Sequence, residues 1–379
     1  MTLKSKVVLP AISALAILST GCGKGADGND VVTIDLASAV EGEPVNHLKA
    51  TDVVYTPLDT AAAAMFSELG NIVGLAGDTV IIHDMNDSED RLILFTLADG
   101  KMVGQINHKG NGPGEYQWIE AVYIDRPAHE VVINTPYGVA HRYTMDDKYI
   151  DSKHYTPPYK SIRLSIGSLD DCINMYGEFD GGFFIHQYDR DFTKIDSIKV
   201  DGYKLGYRSG IFQTVGEYAI LSMVDTLYSI TPGKLEKFAI IDRKGKTITP
   251  EIEEEFNKMM RSDRESARNM QAQNITLDYI MIDNDYIIIP SFYNNANSYD
   301  IFRRSDGALL THIPYSWEEE NKVGFEFEYS GAKMRVLPRF TQDGRWYAII
   351  GEEQAVGPNG EPNDGDLNAA IVSFKLEEE

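Results

Sequence analysis

The chain has 379 residues, 43% of them hydrophobic and 25% charged, with a formal net charge of −23. Those proportions belong to a folded globular protein and exclude a disordered or fibrous one. A field of that sign repels phosphate backbones and anionic headgroups, so nucleic acid and direct headgroup adsorption are not expected.

The first 22 residues read MTLKSKVVLPAISALAILSTGC. Lys4 and Lys6 form a basic start, and the apolar stretch from Val7 to Leu18 is too short to cross about 30 Å of hydrocarbon. Residues 1–21 therefore read as a signal peptide. Ser19-Thr20-Gly21-Cys22 resembles a lipobox, with Leu18 four residues before the cysteine and Ser19 in the usual Leu position. Cys22 is the expected lipid anchor. Residues 22–35, which begin Gly-rich and polar, are expected to form a flexible tether, and 36–379 a single folded domain. The other cysteine, Cys172, has no basic neighbour in sequence and reads as an inert buried thiol.

Short runs rich in Val, Ile, Phe and Tyr then recur between Gly, Asp, Asn and Pro: TVIIHD (79–84), RLILFTL (91–97), EVVINTP (130–136), GFFIHQYD (182–189), EYAILSM (217–223), DYIIIPSFY (285–293) and RWYAIIG (345–351). An aromatic ending one strand precedes an Asp or Gly turn in Phe95/Asp99-Gly100, Tyr143/Asp146-Asp147, Tyr188/Asp191, Phe238/Lys244-Gly245 and Phe302/Asp306-Gly307. A period near 45 residues with several strands per unit is the signature of propeller blades. One segment reads as helix, about 250–273, with Thr249 as N-cap, Pro250 opening the first turn and Ile252, Phe256, Met259 or Met260, Ala267 and Met270 on one face. At the ends, DVVYTPLD (52–59) has no blade of its own and the last strand pair lacks a fourth strand. Pairing 52–59 with residues 369–376, and burying Val53, Val54, Ile371 and Phe374, would close the ring. The expected fold is therefore all-β: a six-bladed β-propeller of four-stranded blades, closed by the N-terminal strand, with one short helical insertion.

The run His108-Lys109-Gly110-Asn111-Gly112-Pro113-Gly114-Glu115-Tyr116 lies where one blade must cross to the next. It has neither the helix nor the Lys-Ser/Thr of a phosphate loop. Gly110, Gly112, Pro113, Gly114, Glu115 and Tyr116 are read as a structural crossover, with Tyr116 or Trp118 packing between blades. Continued through IEAVYIDRPAHEVVINTPYGVAHRYTMDDKYI, the stretch resembles an NHL-type propeller repeat. Together with the lipobox-like start and the GxGPGEY wording, the chain is similar to the six-bladed β-propeller lipoproteins of Bacteroidetes, a TolB-like group. ITPEIEEEF is also similar to a segment those proteins carry after their fourth blade. The resemblance covers about 50–160 well and is diffuse beyond. It implies the fold and a cell-envelope location, outer membrane rather than inner, and implies no reaction.

Catalytic and metal signatures are missing: there is no G-x-S-x-G, H-E-x-x-H, C-x-x-C or Walker sequence. His141 and His154 flank one expected hairpin and read as surface groups. Residues 84–90 (DMNDSED) lack the Gly and the final Glu of a Ca²⁺ loop and read as a solvated turn. The run 359–366 (NGEPNDGD) reads as an exposed acidic loop, and residues 283–285 as a turn between strands. No cofactor is expected, a channel-bound Ca²⁺ staying open. The function expected is that of a monomeric binding or scaffold module. It would serve an envelope protein or a small ligand such as a glycan or peptide, and touch the membrane through lipid only. The competing expectation is a metal-dependent enzyme, a lactonase-like hydrolase or a lyase, with its site at the channel mouth. Such a site can be assembled from residues far apart in sequence, which leaves no local spacing to find.

Overall fold

The computed structural model describes residues 31–379 apart from 68–69, 86–88, 136–137, 156–164, 170–171, 180–181, 201–211, 216–217, 224, 317–318, 320–321, 358 and 364–366. Cys22 and the signal segment lie outside the described residues. Six antiparallel sheets make up the ring. Blade 1 comprises Asn71–Ala76, Thr79–Met85, Asp90–Thr96 and Met102–Ile106 from the channel outward. Blade 2 comprises Ala121–Asp125, Glu130–Thr135, Val139–Thr144 and Tyr149–His154; blade 3, Ser165–Leu169, Cys172–Phe179, Gly182–Tyr188 and Lys194–Val200. Blade 4 comprises Phe212–Val215, Tyr218–Met223, Thr226–Thr231 and Lys234–Asp242. In blade 5 the short strands Thr276–Leu277 and Met281–Ile282 share the inner place, followed by Tyr286–Tyr293, Ala296–Arg303 and Leu309–Tyr315. Blade 6 comprises Phe340–Gln342, Arg345–Ile350, Ala370–Glu378 and, from the other end of the chain, Leu48–Pro57.

The N-terminal segment does more than close the ring. Strand β1 (Val32–Asp35) pairs in parallel with the outer strand of blade 4, β2 (Val45–Asn46) with the outer strand of blade 5, and β3 (Leu48–Pro57) with the last strand of blade 6. Residues 32–35, expected in the tether, are thus ordered sheet. Between β1 and β2, the short helix α1 (Leu36–Val40) buries Leu36, Ala37 and Ala39. In β3 the expected pairing with the C-terminal strand is present, Ile371 opposite Thr56 and Val372 opposite Tyr55. Ile371 and Phe374 are buried, but Val54 is 47% exposed. Neighbouring residues of a strand point to opposite faces, so Val53 and Val54 cannot both reach the core.

The core is a series of slabs between blades. In blade 1, Ile93 and Phe95 face blade 6, while Leu92 and Leu94 face blade 2. This alternation explains why the inner runs read as nearly continuous apolar sequence: both faces are buried. An aromatic in the third strand recurs as Phe95, Tyr143, Tyr188 and Phe302, each before the turn to the fourth strand, and as Phe374, whose outer partner comes from the other end of the chain; all are buried. Each sits where the register against the outer strand slips, a bulge that bends the strand and increases its twist. Burying such a ring stabilises by about 1.5–3 kcal/mol. In blade 4 the expected aromatic-turn pair lies one strand too late. Phe238 is in the outer strand, and the turn joining third and fourth strands is at residues 232–233. The helical insertion is two helices, α2 (Pro250–Ser262) and α3 (Arg264–Ala272), because Asp263 leaves helical geometry and caps α3 through Ser266 N–H.

Candidate functional site: the crossover face

Antiparallel order fixes what each face of the ring carries. Turns from first to second and from third to fourth strands emerge on one face. Turns from second to third strands, and the crossovers between blades, emerge on the other. The turn face is trimmed; no connection there exceeds five residues, as at 97–101 and 304–308. The crossover face carries the long excursions: 58–70, 107–120, 243–275 with α2 and α3, 316–339 with the extra hairpin Phe325–Tyr329/Ala332–Val336, and 351–369.

Residues 108–116 fold on themselves. Tyr116 N–H donates to His108 carbonyl, Gly110 N–H to Tyr116 carbonyl, and Gly112 N–H to the Glu115 carboxylate at 2.8 Å. That carboxylate fills the hollow of the loop; a Cβ at Gly110 would lie 2.0 Å from it. Tyr116 is 1% exposed and donates to the Asp90 carbonyl of blade 1 at 2.9 Å, and Tyr143 of blade 2 donates to the Gly114 carbonyl. Burial pushes both phenols well above the usual tyrosine range. Gly114 has φ +75 and lies against the Tyr149 ring, where a side chain would be both strained and crowded. Of the two aromatics weighed from sequence, Tyr116 is the one between blades; Trp118 is 42% exposed.

The acidic run at 84–90, of which 86–88 lie outside the described residues, is not solvated at its two ends. Asp84 and Asp90 are buried. Asp84 accepts from Ser67 N–H and hydroxyl and from Arg91, while Asp90 bonds His83 at 2.6 Å and accepts from Ile119 N–H. Arg91 also donates to Met65 carbonyl at 2.6 Å. These groups pin the crossovers on either side of blade 1, a role no local spacing announces. His141 is buried as well, with Nδ1 2.8 Å from Ser152 Oγ. Burial also pushes the Cys172 thiol up to about 11.

The helical excursion has a pinned neck. Ile275 N–H donates to Lys246 carbonyl, and Arg243 reaches both Asp225 and Ile275 carbonyl. Beyond it, Met260 is 37% exposed. Met85 and Trp118 add exposed apolar surface beside blade 1. On the opposite face, Arg126 of blade 2 bonds Asp343 of blade 6 at 2.9 Å, past blade 1, and Asp283 is buried as the cap of its own turn.

Serine hydroxyls meet histidines in blades 2 and 3, Ser152 with His141 and Ser197 with His186, each at 2.8 Å, and in blade 5 an aspartate comes between the two. Ser298 donates to Asp300, whose other oxygen bonds His312 Nδ1 at 2.6 Å. There the Asp300 carboxylate stands between the other two, so the His312 imidazole does not bond the Ser298 hydroxyl, and the order is not that of a serine–histidine–aspartate triad. Among the described residues, no group of three or more His, Cys, Asp or Glu is placed to hold a metal ion.

The architecture defines a six-bladed β-propeller whose elaborations gather on one face. The family described as Domain of unknown function (DUF4934) matches residues 31–362, and the chain belongs to it. Two solved structures share the fold. A protein of Bacteroides fragilis, described as a candidate exported protein, is 16% identical with TM-score 0.62, covering 92% of this chain and 99% of that one. A member of the DUF4221 family from Bacteroides vulgatus is 13% identical with TM-score 0.52, covering 88% and 99%. A sequence comparison with curated proteins gives no match.

Proposed function

We propose that the chain is an extracytoplasmic binding or scaffold propeller, held to a membrane through lipid on Cys22, that meets a partner protein or a small ligand with its crossover face. The unequal treatment of the two faces carries this reading. Folding needs only short turns, and the turn face keeps them short. Where described, the long excursions are partly apolar and set on the closed ring, the usual form of a binding surface. The exported character given to the Bacteroides fragilis structure supports the location, as does the similarity to TolB-like and NHL-like propeller lipoproteins. The reading requires no cofactor and treats the 108–116 loop as structural.

A photo-crosslinking residue placed in the native envelope tests the face. Trp118 and Met260 positions are expected to give discrete adducts, and the turn-face positions Asp78 and His129 to give none. Adducts concentrated at Asp78 and His129 would reverse the assignment.

A further inference from the structure

The hairpin Phe325–Tyr329/Ala332–Val336 stands outside the six blades; among the described residues its strands form a sheet of their own. Phe325, Phe327, Met334 and Val336 point inward and are buried against blades 5 and 6. The outward side chains are charged. Glu326 lies opposite Arg335, and Glu328 opposite Lys333. Lys333 reaches Glu326 at 3.1 Å and Arg335 reaches it at 3.5 Å. Lys333 beside Glu326 holds its carboxyl below the usual range. One strand therefore presents carboxylates at alternate positions, and the other answers with cations at alternate positions.

That ladder meets Lys333 and Arg335 from one side. Along the same strand runs a groove of about 310 Å³ lined by residues 332–335, with Lys322, Glu326, Gln354 and Val356. Successive side chains of a strand alternate faces. Four consecutive residues can line one groove only where it follows the strand's edge. An edge of this kind offers backbone donors and acceptors that the hairpin partner does not use. Among the described residues the groove thus joins a strand edge without a further partner to three cations and one carboxylate, an excess of positive charge in a chain whose net charge is −23.

We propose that the edge of Ala332–Val336 takes an extended acidic segment of a partner protein as a third strand, with carboxylates at alternate positions beside Lys333 and Arg335. The hairpin's own Phe325–Tyr329 strand is the template for such a segment. Main-chain bonds supply affinity and the spaced charges fix register. The inference rests on the crossover face being the binding face and names the kind of segment it takes.

The test uses the whole chain from residue 22 and a blocked peptide, Thr-Glu-Val-Glu-Thr-Glu-Val-Thr. Binding is expected, with amide hydrogen exchange slowed within 332–336. Three changes should each weaken it about tenfold or more: glutamine for every glutamate, N-methylation of alternate peptide amides, and the double variant Lys333→Gln/Arg335→Gln. Both side chains are well exposed and neutral residues set no like charges opposite Glu326 and Glu328, so the variant's melting temperature should match the parent's within a few degrees. The N-methyl peptide leaves the protein untouched and removes only strand donors. No binding, or binding indifferent to N-methylation, overturns the proposal; the latter marks a diffuse anion patch. Protection at 332–336 that grows with protein concentration alone makes the occupant a second copy and also overturns it. Crosslinking at Trp118 and Met260 succeeds or fails separately, so loss of this inference is distinguishable from loss of the binding-face reading.

Discussion

His186 lies in the third strand of blade 3, 3% exposed, with Nδ1 2.8 Å from Ser197 Oγ. Burial, aided by the Lys194 charge, lowers its pKa to about 4 from the ordinary 6.5. Unfolded, the ring takes a proton near 6.5; folded, it resists until about 4. Acid therefore favours the unfolded chain across that window, and stability present above about 6.5 is lost as pH falls towards 4, by at most about 1.4 kcal/mol per pH unit. Melting temperature should fall between pH 7 and pH 5 more steeply for the parent than for His186→Gln; parallel slopes would remove His186 as a cause. Sequence could not have shown this, since burial of His186, like that of His141, Asp84 and Asp90, depends on the neighbouring blade. Glycines differ in the same way. Gly100 has φ +68, and a Cβ there would lie 1.8 Å from the Pro57 carbonyl oxygen across the closure seam, whereas Gly77 at φ +60 has open space.

Strand Ala370–Glu378 is the element on which the ring depends. Its ladder with β3 runs from Ala370 opposite Pro57 to Glu378 opposite Leu48. Ala370, Ile371, Val372 and Phe374 are all at most 1% exposed. At about 1 kcal/mol per hydrogen bond and ~1.5–3 per large buried side chain, its contribution is comparable with the 5–15 kcal/mol that usually separates folded from unfolded. Deleting 370–379 should therefore abolish the cooperative melting transition and cause aggregation. A truncated protein that keeps its melting temperature within a few degrees would disprove the dependence. This pairing was legible because two orphan strands, 52–59 and the last run, each lacked a partner in its own neighbourhood. The break at Asp263 was less so: Ile252, Phe256 and Met259 keep their spacing through α2, and only cap geometry reveals the second start. Strands β1 and β2 gave no signal, being too short for a period and added to blades already complete.

For the whole molecule, blade number was written in the recurrence of aromatic-turn pairs, since five of the six blades bury a bulged aromatic against a neighbour and blade 4 has Leu227 at that slip. The faces were not. Which loops converge follows from ring geometry, and Lys333 and Arg335 become notable only once the edge beside them is seen. From residue 22 onward the chain stands at −25, because residues 1–21 carry only Lys4 and Lys6 as charged side chains. Attachment to an anionic membrane then needs lipid, as chains of buried methylenes supply. Cys22→Ser should leave the thermal transition unchanged and move the protein from the membrane to the soluble fraction. Sedimentation with membranes after a high-salt wash would refute the anchor.

The N-terminal strap also orders events in time. β1 waits for Ala239, β2 for His312 and β3 for Ile371, so the first strands synthesised are the last to find partners. At roughly 5–20 residues per second, emergence of the chain leaves those edges open for tens of seconds. Blades 1 to 3 hold all their own strands, whereas the ring shuts only when Ala370–Glu378 reaches β3.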